Sequence, residues 1–326
     1  MFFNRVFARG LLLLALVGPA TLFAQAPTWP ARPIRLVVPY PPGGLTDVLA
    51  RLVAQKAGEQ LGQPIVVENR GGASTVIGAE AVAKAAPDGY TLLMAATTTL
   101  TTNPLLFKKL PYKRDDFTPV ALVGTVPFVL AVHPSVPANT LQEFVAHAKA
   151  NPGLLTFSTS GRGSSSHLVG EMFKSATGVE MRDIPYKGSA AALAAVLSGE
   201  VQATFDGITN YLPLVRSGKL KILGVFSEVR LPAIEMVPTL TEAGYSQAVA
   251  YSWFGIVAPS GTPKAVVQRL NQVINTSLQT PELSERLRAD VSGGPILSPE
   301  AYGDFMLKQA QIWEKVIVPL KLEVDP

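Results

Sequence analysis

From residue 34 onward the apolar positions switch between two periods. Residues 34–38 are a β-branched run that stops at Pro39-Tyr40-Pro41-Pro42-Gly43-Gly44. Directly after it, Leu45, Val48, Leu49, Leu52 and Val53 recur at the three-to-four spacing of one helix face. The pattern predicts a strand, a tight loop and a helix, with Thr46 placed to cap the helix, Asp47 in its first turn, and Gly62-Gln63-Pro64 ending it. A strand over 65–68, the turn Asn69-Arg70-Gly71-Gly72, an alanine-rich helix over 74–86, the turn Pro87-Asp88-Gly89 and a strand over 90–95 follow. Alternation of this kind argues for a mostly parallel sheet covered on both faces.

The rhythm resumes after Gly124. A strand over 128–132, a helix capped at Asn139-Thr140, a strand over 155–158, a glycine-serine loop and a helix to Ala176 come in order. Then follow a strand ending at Ile184, a helix over 189–197, a strand over 201–205, a short helix to Val215 and a strand over 220–226. Extended residues 249–258 lead into Pro259-Ser260-Gly261-Thr262-Pro263 and helical spacing over 264–278, 281–288 and 302–316. The fold class expected is α/β with two lobes, each a mostly parallel sheet flanked by helices. Residues 27–124 plus 255–326 make one lobe and 125–254 the other, with a cleft between them and a hinge where the chain crosses near 124 and 254. Trp253 and Phe254, at the second crossing, read as hinge or core residues.

The chain has 326 residues, 48% of them hydrophobic, enough to bury a core without staples. It contains no cysteine, which excludes disulfides, thiolate metal sites and cysteine nucleophiles. The three histidines, His133, His147 and His167, lie in separate segments, so no metal is expected. Basic pairs occur only at Lys108-Lys109 and Lys113-Arg114, which is no nucleic-acid footprint.

Ahead of the first strand, Arg5 and Arg9 precede an apolar run over 11–17, Gly18-Pro19 and the small residues Ala24-Gln25-Ala26. This predicts a signal peptide over residues 1–26, cleaved after Ala24 or Ala26, and a mature protein in the periplasm. The run is too short for a membrane span. Losing Arg5 and Arg9 lowers the formal charge from +4 to +2.

Two strand-to-helix loops concentrate the candidate chemistry. The first is Tyr40-Pro41-Pro42-Gly43-Gly44-Leu45-Thr46-Asp47, and the second runs from Ser158 through Ser160-Gly161-Arg162-Gly163-Ser164-Ser165-Ser166 to His167. Each pairs glycines with a helix N-terminus, which suits an anion. Both fall beyond the carboxyl ends of their strands, where open α/β sheets bind ligands. One arm in each lobe describes a pincer for a small carboxylate. Asp206 points to the same edge as ligand contact or helix cap, and Lys187-Gly188-Ser189 is a further candidate for lining the cleft. Gly161-Arg162-Gly163 lacks the rest of a dinucleotide fingerprint and no phosphate-binding P-loop occurs, so no cofactor is expected. Serine hydrolysis is the enzymatic alternative, since His167 follows three serines, but the nucleophile elbow and an acid partner are missing.

The ordered segments Val38-Pro39-Tyr40-Pro41-Pro42-Gly43-Gly44-Leu45-Thr46-Asp47, Val67-Glu68-Asn69-Arg70-Gly71-Gly72-Ala73 and Pro87-Asp88-Gly89-Tyr90-Thr91-Leu92-Leu93 resemble the Bug family, the extracytoplasmic solute receptors of tripartite tricarboxylate transporters. So do Ser158 to Ser164, Pro185-Tyr186-Lys187-Gly188, Phe205-Asp206, Ser217-Gly218-Lys219-Leu220, Val237 to Gly244 and Ala258 to Pro263, and the resemblance covers nearly the whole mature chain. It implies a monomeric, non-catalytic binding protein that closes on a small carboxylate and delivers it to a membrane permease. By matching position it implies ligand-binding roles for Tyr40, Pro42, Gly43, Gly44 and Asp47 on one arm and Ser160, Gly161, Gly163, Ser164 and His167 on the other. Thr97 and Thr98 occupy a place where the family often has hydroxyl residues facing the cleft. Arg162 varies in the family and favours a second acidic group on the ligand. Gly188-Ser189 and Gly207-Ile208 depart from the family pattern, at positions that line the distal cleft. A ligand-dependent sensor partner is the other non-enzymatic reading.

Overall fold

The structure, a computed structural model, describes residues 29–289 and 293–322. The expected signal peptide, residues 1–26, lies outside the described residues. The first lobe opens with β1 (Ile34–Val38), α1 (Leu45–Leu61), β2 (Ile65–Asn69), α2 (Val76–Ala83), β3 (Thr91–Ala96) and the short α3 (Asn103–Leu106). One long strand, β4 (Phe117–Val132), leads to α4 (Leu141–Ala150), β5 (Thr156–Thr159), α5 (Ser165–Thr177), β6 (Arg182–Pro185), α6 (Ser189–Leu197), β7 (Ala203–Gly207), α7 (Leu212–Arg216) and β8 (Lys221–Val225). The chain ends with β9 (Tyr251–Pro259), α8 (Lys264–Leu278), α9 (Pro281–Ala289) and α10 (Pro299–Leu320).

Within each lobe the sheet is mostly parallel, as expected, with a single opposed strand. Three strands are parallel in the order β2-β1-β3, and three more in the order β6-β5-β7. Between these sets run β4 and β9, antiparallel to each other from Phe117 against Pro259 to Pro127 against Tyr251. The far end of β4, Phe128 to Val132, pairs antiparallel with β7 and β8. The exceptions have a topological cause: the chain crosses in a single extended pass and returns in another, so β9 opposes the first set and β4 the second. The sequence pattern shows only residues 128–132 of β4, because Pro119, Gly124 and Pro127 interrupt its apolar run. The strand absorbs the interruptions by shifting register between Pro119 and Ala121 and between Leu122 and Gly124. Such irregularities bend a strand.

On one face of the sheet, α1 and α8 cover β1 through Leu49, Val53, Leu270 and Val273, and this core runs on to Val129 and Val225 without a break. The opposite face carries two cores. Trp253 and Val257 pack with α2 in one, and Phe144, Phe157, Phe173, Phe205 and Phe226 fill the other. The last helix, α10, belongs to both: Tyr302 and Met306 lie in the first, Trp313 and Ile317 in the second. Trp253 meets Tyr302 edge-on at 6.0 Å and Phe128 meets Trp313 edge-on at 6.4 Å. The helix therefore ties the two cores together behind the crossing strands.

Two helix starts differ from expectation. Thr46 does not cap α1, whose N-cap is Gly44 in extended conformation, with no side-chain cap. The alanine-rich helix begins at Val76 rather than Ser74, because Ala73, Ser74 and Thr75 hold φ values of +44°, +49° and +80°. At α4, Thr140 Oγ1 accepts the Glu143 N–H at 3.2 Å, as the cap residues indicate.

Candidate functional site

The first arm is the β1–α1 loop. Gly43 adopts φ +89°, a left-handed conformation that glycine reaches freely, and its N–H donates to Asp47 Oδ2 at 2.9 Å. Asn69 Nδ2 donates to Asp47 Oδ1 at 2.8 Å and to the Tyr40 carbonyl at 3.1 Å, so β2 fixes both ends of the loop. Arg51, one turn along α1, completes the network through Nε and Nη2 at 3.1 and 3.0 Å from the same carboxylate. The Arg51 hydrogen bond, with help from the Gly43 amide and Asn69, holds Asp47 down at about 2.

The second arm is the β5–α5 loop. Ser164 caps α5, its hydroxyl accepting the His167 N–H at 3.4 Å. Ser166 Oγ accepts the Ser160 N–H at 2.9 Å. Gly163, at φ +75°, donates its N–H to His167 Nδ1 at 3.2 Å. That bond makes Nδ1 the acceptor and leaves the ring proton on Nε2, which faces Asp183 Oδ2 at 3.8 Å. His167, Glu171 and Asp183 lie within 4.8 Å of one another, a spacing open to a cation. With Nδ1 accepting an amide, however, Nε2 has no lone pair to offer a metal, and Glu171 already pairs with Lys174 at 2.7 Å. The serines gain no base either, since the His167 ring is engaged by Gly163 and Asp183. The geometry contains no nucleophile–base pair here, in agreement with the missing elbow.

Both arms bound one cavity of about 570 Å³. Tyr40, Thr98, Ser160, Gly161, Arg162, Gly163, Ser164 and Asp206 line it, together with Ser189 at the start of α6. Its polar lining is mostly hydroxyl. Among the described residues Arg162 has no ion-pair partner, so its exposed guanidinium is free at the rim. Asp206, the one carboxyl among the described lining residues, accepts the Gly207 N–H at 2.8 Å and the Tyr211 hydroxyl at 3.4 Å, and burial raises it above the ordinary carboxylate range.

Other expected site residues stand behind the lining. Pro42, Gly43 and Gly44 form the exposed tip of the first loop, while Asp47 and His167 are buried and act on the loops themselves. Thr97 is turned into β9, where its hydroxyl accepts the Trp253 N–H at 2.8 Å. Trp253 itself is fully buried in the core. The cavity also takes in Gly72, Ser74 and Thr75 of the left-handed turn, and Thr102, Asn103, Leu106 and Phe107 after β3, which sequence reasoning missed. The hydroxyl-dense run Thr97-Thr98-Thr99-Leu100-Thr101-Thr102 was the available signal. It forms a π-helical turn, a shape often found at functional sites. Asn103 Nδ2 holds the left-handed turn by donating to the Ser74 carbonyl at 2.7 Å.

Comparison with known proteins adds a family to this geometry. Residues 49–320 match the family described as the tripartite tricarboxylate transporter family receptor. BugT of Bordetella pertussis is 40% identical over 313 residues, covering 94% of this chain and 96% of the relative. The solved structure of Rpa4515 from R. palustris with adipate is 37% identical, with a TM-score of 0.76, over 88% of this chain and 97% of that one. MatC from Rhodopseudomonas palustris with bound malate is 33% identical, with a TM-score of 0.73, over 88% of this chain and 99% of that one.

Proposed function

This chain belongs to the tripartite tricarboxylate transporter receptor family, and from that premise we propose that it captures a small organic carboxylate in the cavity between its two arms and hands it to a membrane permease. Members of the family are solute-binding receptors, not enzymes. The observation that carries the reading is the lining: two helix-capping loops from different lobes, hydroxyl donors throughout, and one unpaired guanidinium at the rim. Each charge-assisted bond to a carboxylate is worth roughly 1.5–3 kcal/mol, so several of them together are of the size of the association cost of about 4–15 kcal/mol.

In this reading residues 1–26 are removed on export and the mature chain works as a monomer in the periplasm. No helix among the described residues is long and apolar enough to cross a membrane. Residues 27–124 plus 255–326 and residues 125–254 act as the two lobes, β4 and β9 bend where their register shifts, and α10 limits the swing by packing on both cores. The ligand closes the lobes to the extent that it binds the closed form more tightly.

The test is a thermal shift panel on residues 27–326 with mono-, di- and tricarboxylates, aromatic acids and neutral amides. A ligand at 100 times its Kd adds about 2.7 kcal/mol, which raises Tm by roughly 5 °C in a chain of this size. A selective rise with one class of acid supports the reading. A flat panel, on protein that native mass spectrometry shows to be ligand-free, contradicts it.

A further inference from the structure

The two arms are closed by the same device. In each, a loop glycine with positive φ donates its N–H to the side chain four residues on, in the first turn of the following helix: Gly43 to Asp47 Oδ2 and Gly163 to His167 Nδ1. Both acceptor side chains are nearly inaccessible, at 4% and 6% exposure, and neither lines the cavity. The Gly43 and Gly163 amides, the natural donors for a ligand anion, are thus already engaged. We propose that Asp47 and His167 are matched positioning residues that hold the arms in their ligand-accepting shape, and that the His167 arm loosens on acidification while the Asp47 arm does not. This rests on the carboxylate reading only for its effect on affinity; the arms' behaviour is a property of the free protein.

The difference lies in what each acceptor does with a proton. Asp47 accepts as an anion, and Arg51, Asn69 and the Gly43 amide keep it ionised far below neutrality. His167 accepts as a neutral ring whose proton already sits on Nε2, so a second proton must enter at Nδ1. Two N–H groups would then face each other across 3.2 Å, and the loop must give way. The charged groups around the ring are Arg162 of its own loop, Glu171 and Lys174 of α5, and Asp183 of β6. Burial opposes the imidazolium, and Arg162 and Lys174 add to that. The carboxylates of Asp183 and Glu171 act the other way, and the balance keeps His167 neutral to below its ordinary range. The arm is therefore intact at neutral pH and through the ordinary histidine value of about 6.5, and is lost only at more acid pH. Ligand affinity falls with it by up to tenfold per pH unit, the limit for one coupled proton.

The experiment measures amide hydrogen-exchange protection in the 15N-labelled, ligand-free chain from pH 7.5 to 4.0. Gly163 should lose protection across that range and Gly43 should keep it. In His167→Asn the Asn Oδ1 stands where Nδ1 stood and does not titrate, so Gly163 protection becomes independent of pH. In His167→Leu it is low throughout. Adipate, used as a probe with each variant, should lose more affinity between pH 7.5 and 4.0 in wild type than in His167→Asn, where only the protonation of adipate itself acts. Wild-type Gly163 protection that does not respond to pH, or a His167→Leu chain that keeps it, overturns the proposal. A pH-responsive arm in a chain that binds no carboxylate instead leaves the positioning roles standing and rejects the carboxylate reading.

Discussion

Ala73, Ser74 and Thr75 form three consecutive non-glycine residues in the left-handed region, between Gly72 and the start of α2. Each L-residue there costs about 1–2 kcal/mol, so the turn stores roughly 3–6 kcal/mol. The surroundings hold it: Asn103 Nδ2 donates to the Ser74 carbonyl at 2.7 Å and to Thr75 Oγ1 at 3.3 Å, and Ser74 and Thr75 face the cavity. Ala73 is exposed, so its methyl packs on little. Ala73→Gly removes about 1–2 kcal/mol of backbone strain and adds about 0.5–1 kcal/mol of unfolded-state entropy. The expected result is stabilisation by about 0.5–1 kcal/mol, the reverse of the usual effect of glycine. Ala81→Gly in the body of α2, only eight residues on, is the control and should destabilise by about 1 kcal/mol. Urea denaturation of both variants reads the two signs directly, with equal m-values confirming that the unfolded states are comparable. Destabilisation of Ala73→Gly by as much as Ala81→Gly would refute the strained turn.

Three further substitutions probe the frame around the cleft. Asp47 sits near 2 instead of 3.8, so its ionisation contributes stability that is present above about pH 4 and is lost as pH falls towards 2. Asp47→Asn should therefore differ from wild type by about 2 kcal/mol at neutral pH and converge with it in acid, as followed by urea midpoints across that range. The Tyr302 hydroxyl is buried in the α10 contact with no hydrogen-bond partner among the described residues, so Tyr302→Phe should raise stability by about 1 kcal/mol; a lower Tm would show that the hydroxyl is satisfied. A methyl at Gly255 would stand 2.1 Å from that same hydroxyl and 2.9 Å from the Ala121 carbonyl. Gly255→Ala should cost about 1–3 kcal/mol by forcing β4, β9 or α10 apart, and an unchanged melting curve would contradict their close approach.

The parts of this fold written in local pattern were legible in the sequence. The 34–38 strand, the glycine loop and the helix after it follow from side-chain periodicity and turn chemistry, and so does the second arm as a glycine-serine loop ahead of a helix. What could not be read depends on contacts between distant segments. The first half of β4 hides behind Pro119, Gly124 and Pro127, and exists because β9, over a hundred residues later, supplies its partners. The left-handed turn at Ala73–Thr75 looks like the start of a helix and is held instead by Asn103. The candidate site was legible as two arms, but not as a division of labour. Gly43 and Gly163 suggest amides free for a ligand, and only the geometry shows Asp47 and His167 occupying them. Thr97 was indistinguishable from Thr98 until its hydroxyl was seen bonded to β9.

The central claim is that a carboxylate sits between the two arms. A crystal structure of residues 27–326 with the acid that gives the largest thermal shift tests it most directly. The account predicts one carboxylate group within hydrogen-bonding distance of hydroxyls from both the Tyr40 side and the Ser160–Ser164 loop, with Arg162 drawn towards the ligand. Ligand density elsewhere, for example in the apolar groove behind the crossing strands between Pro127, Tyr251 and Ile312, would contradict it.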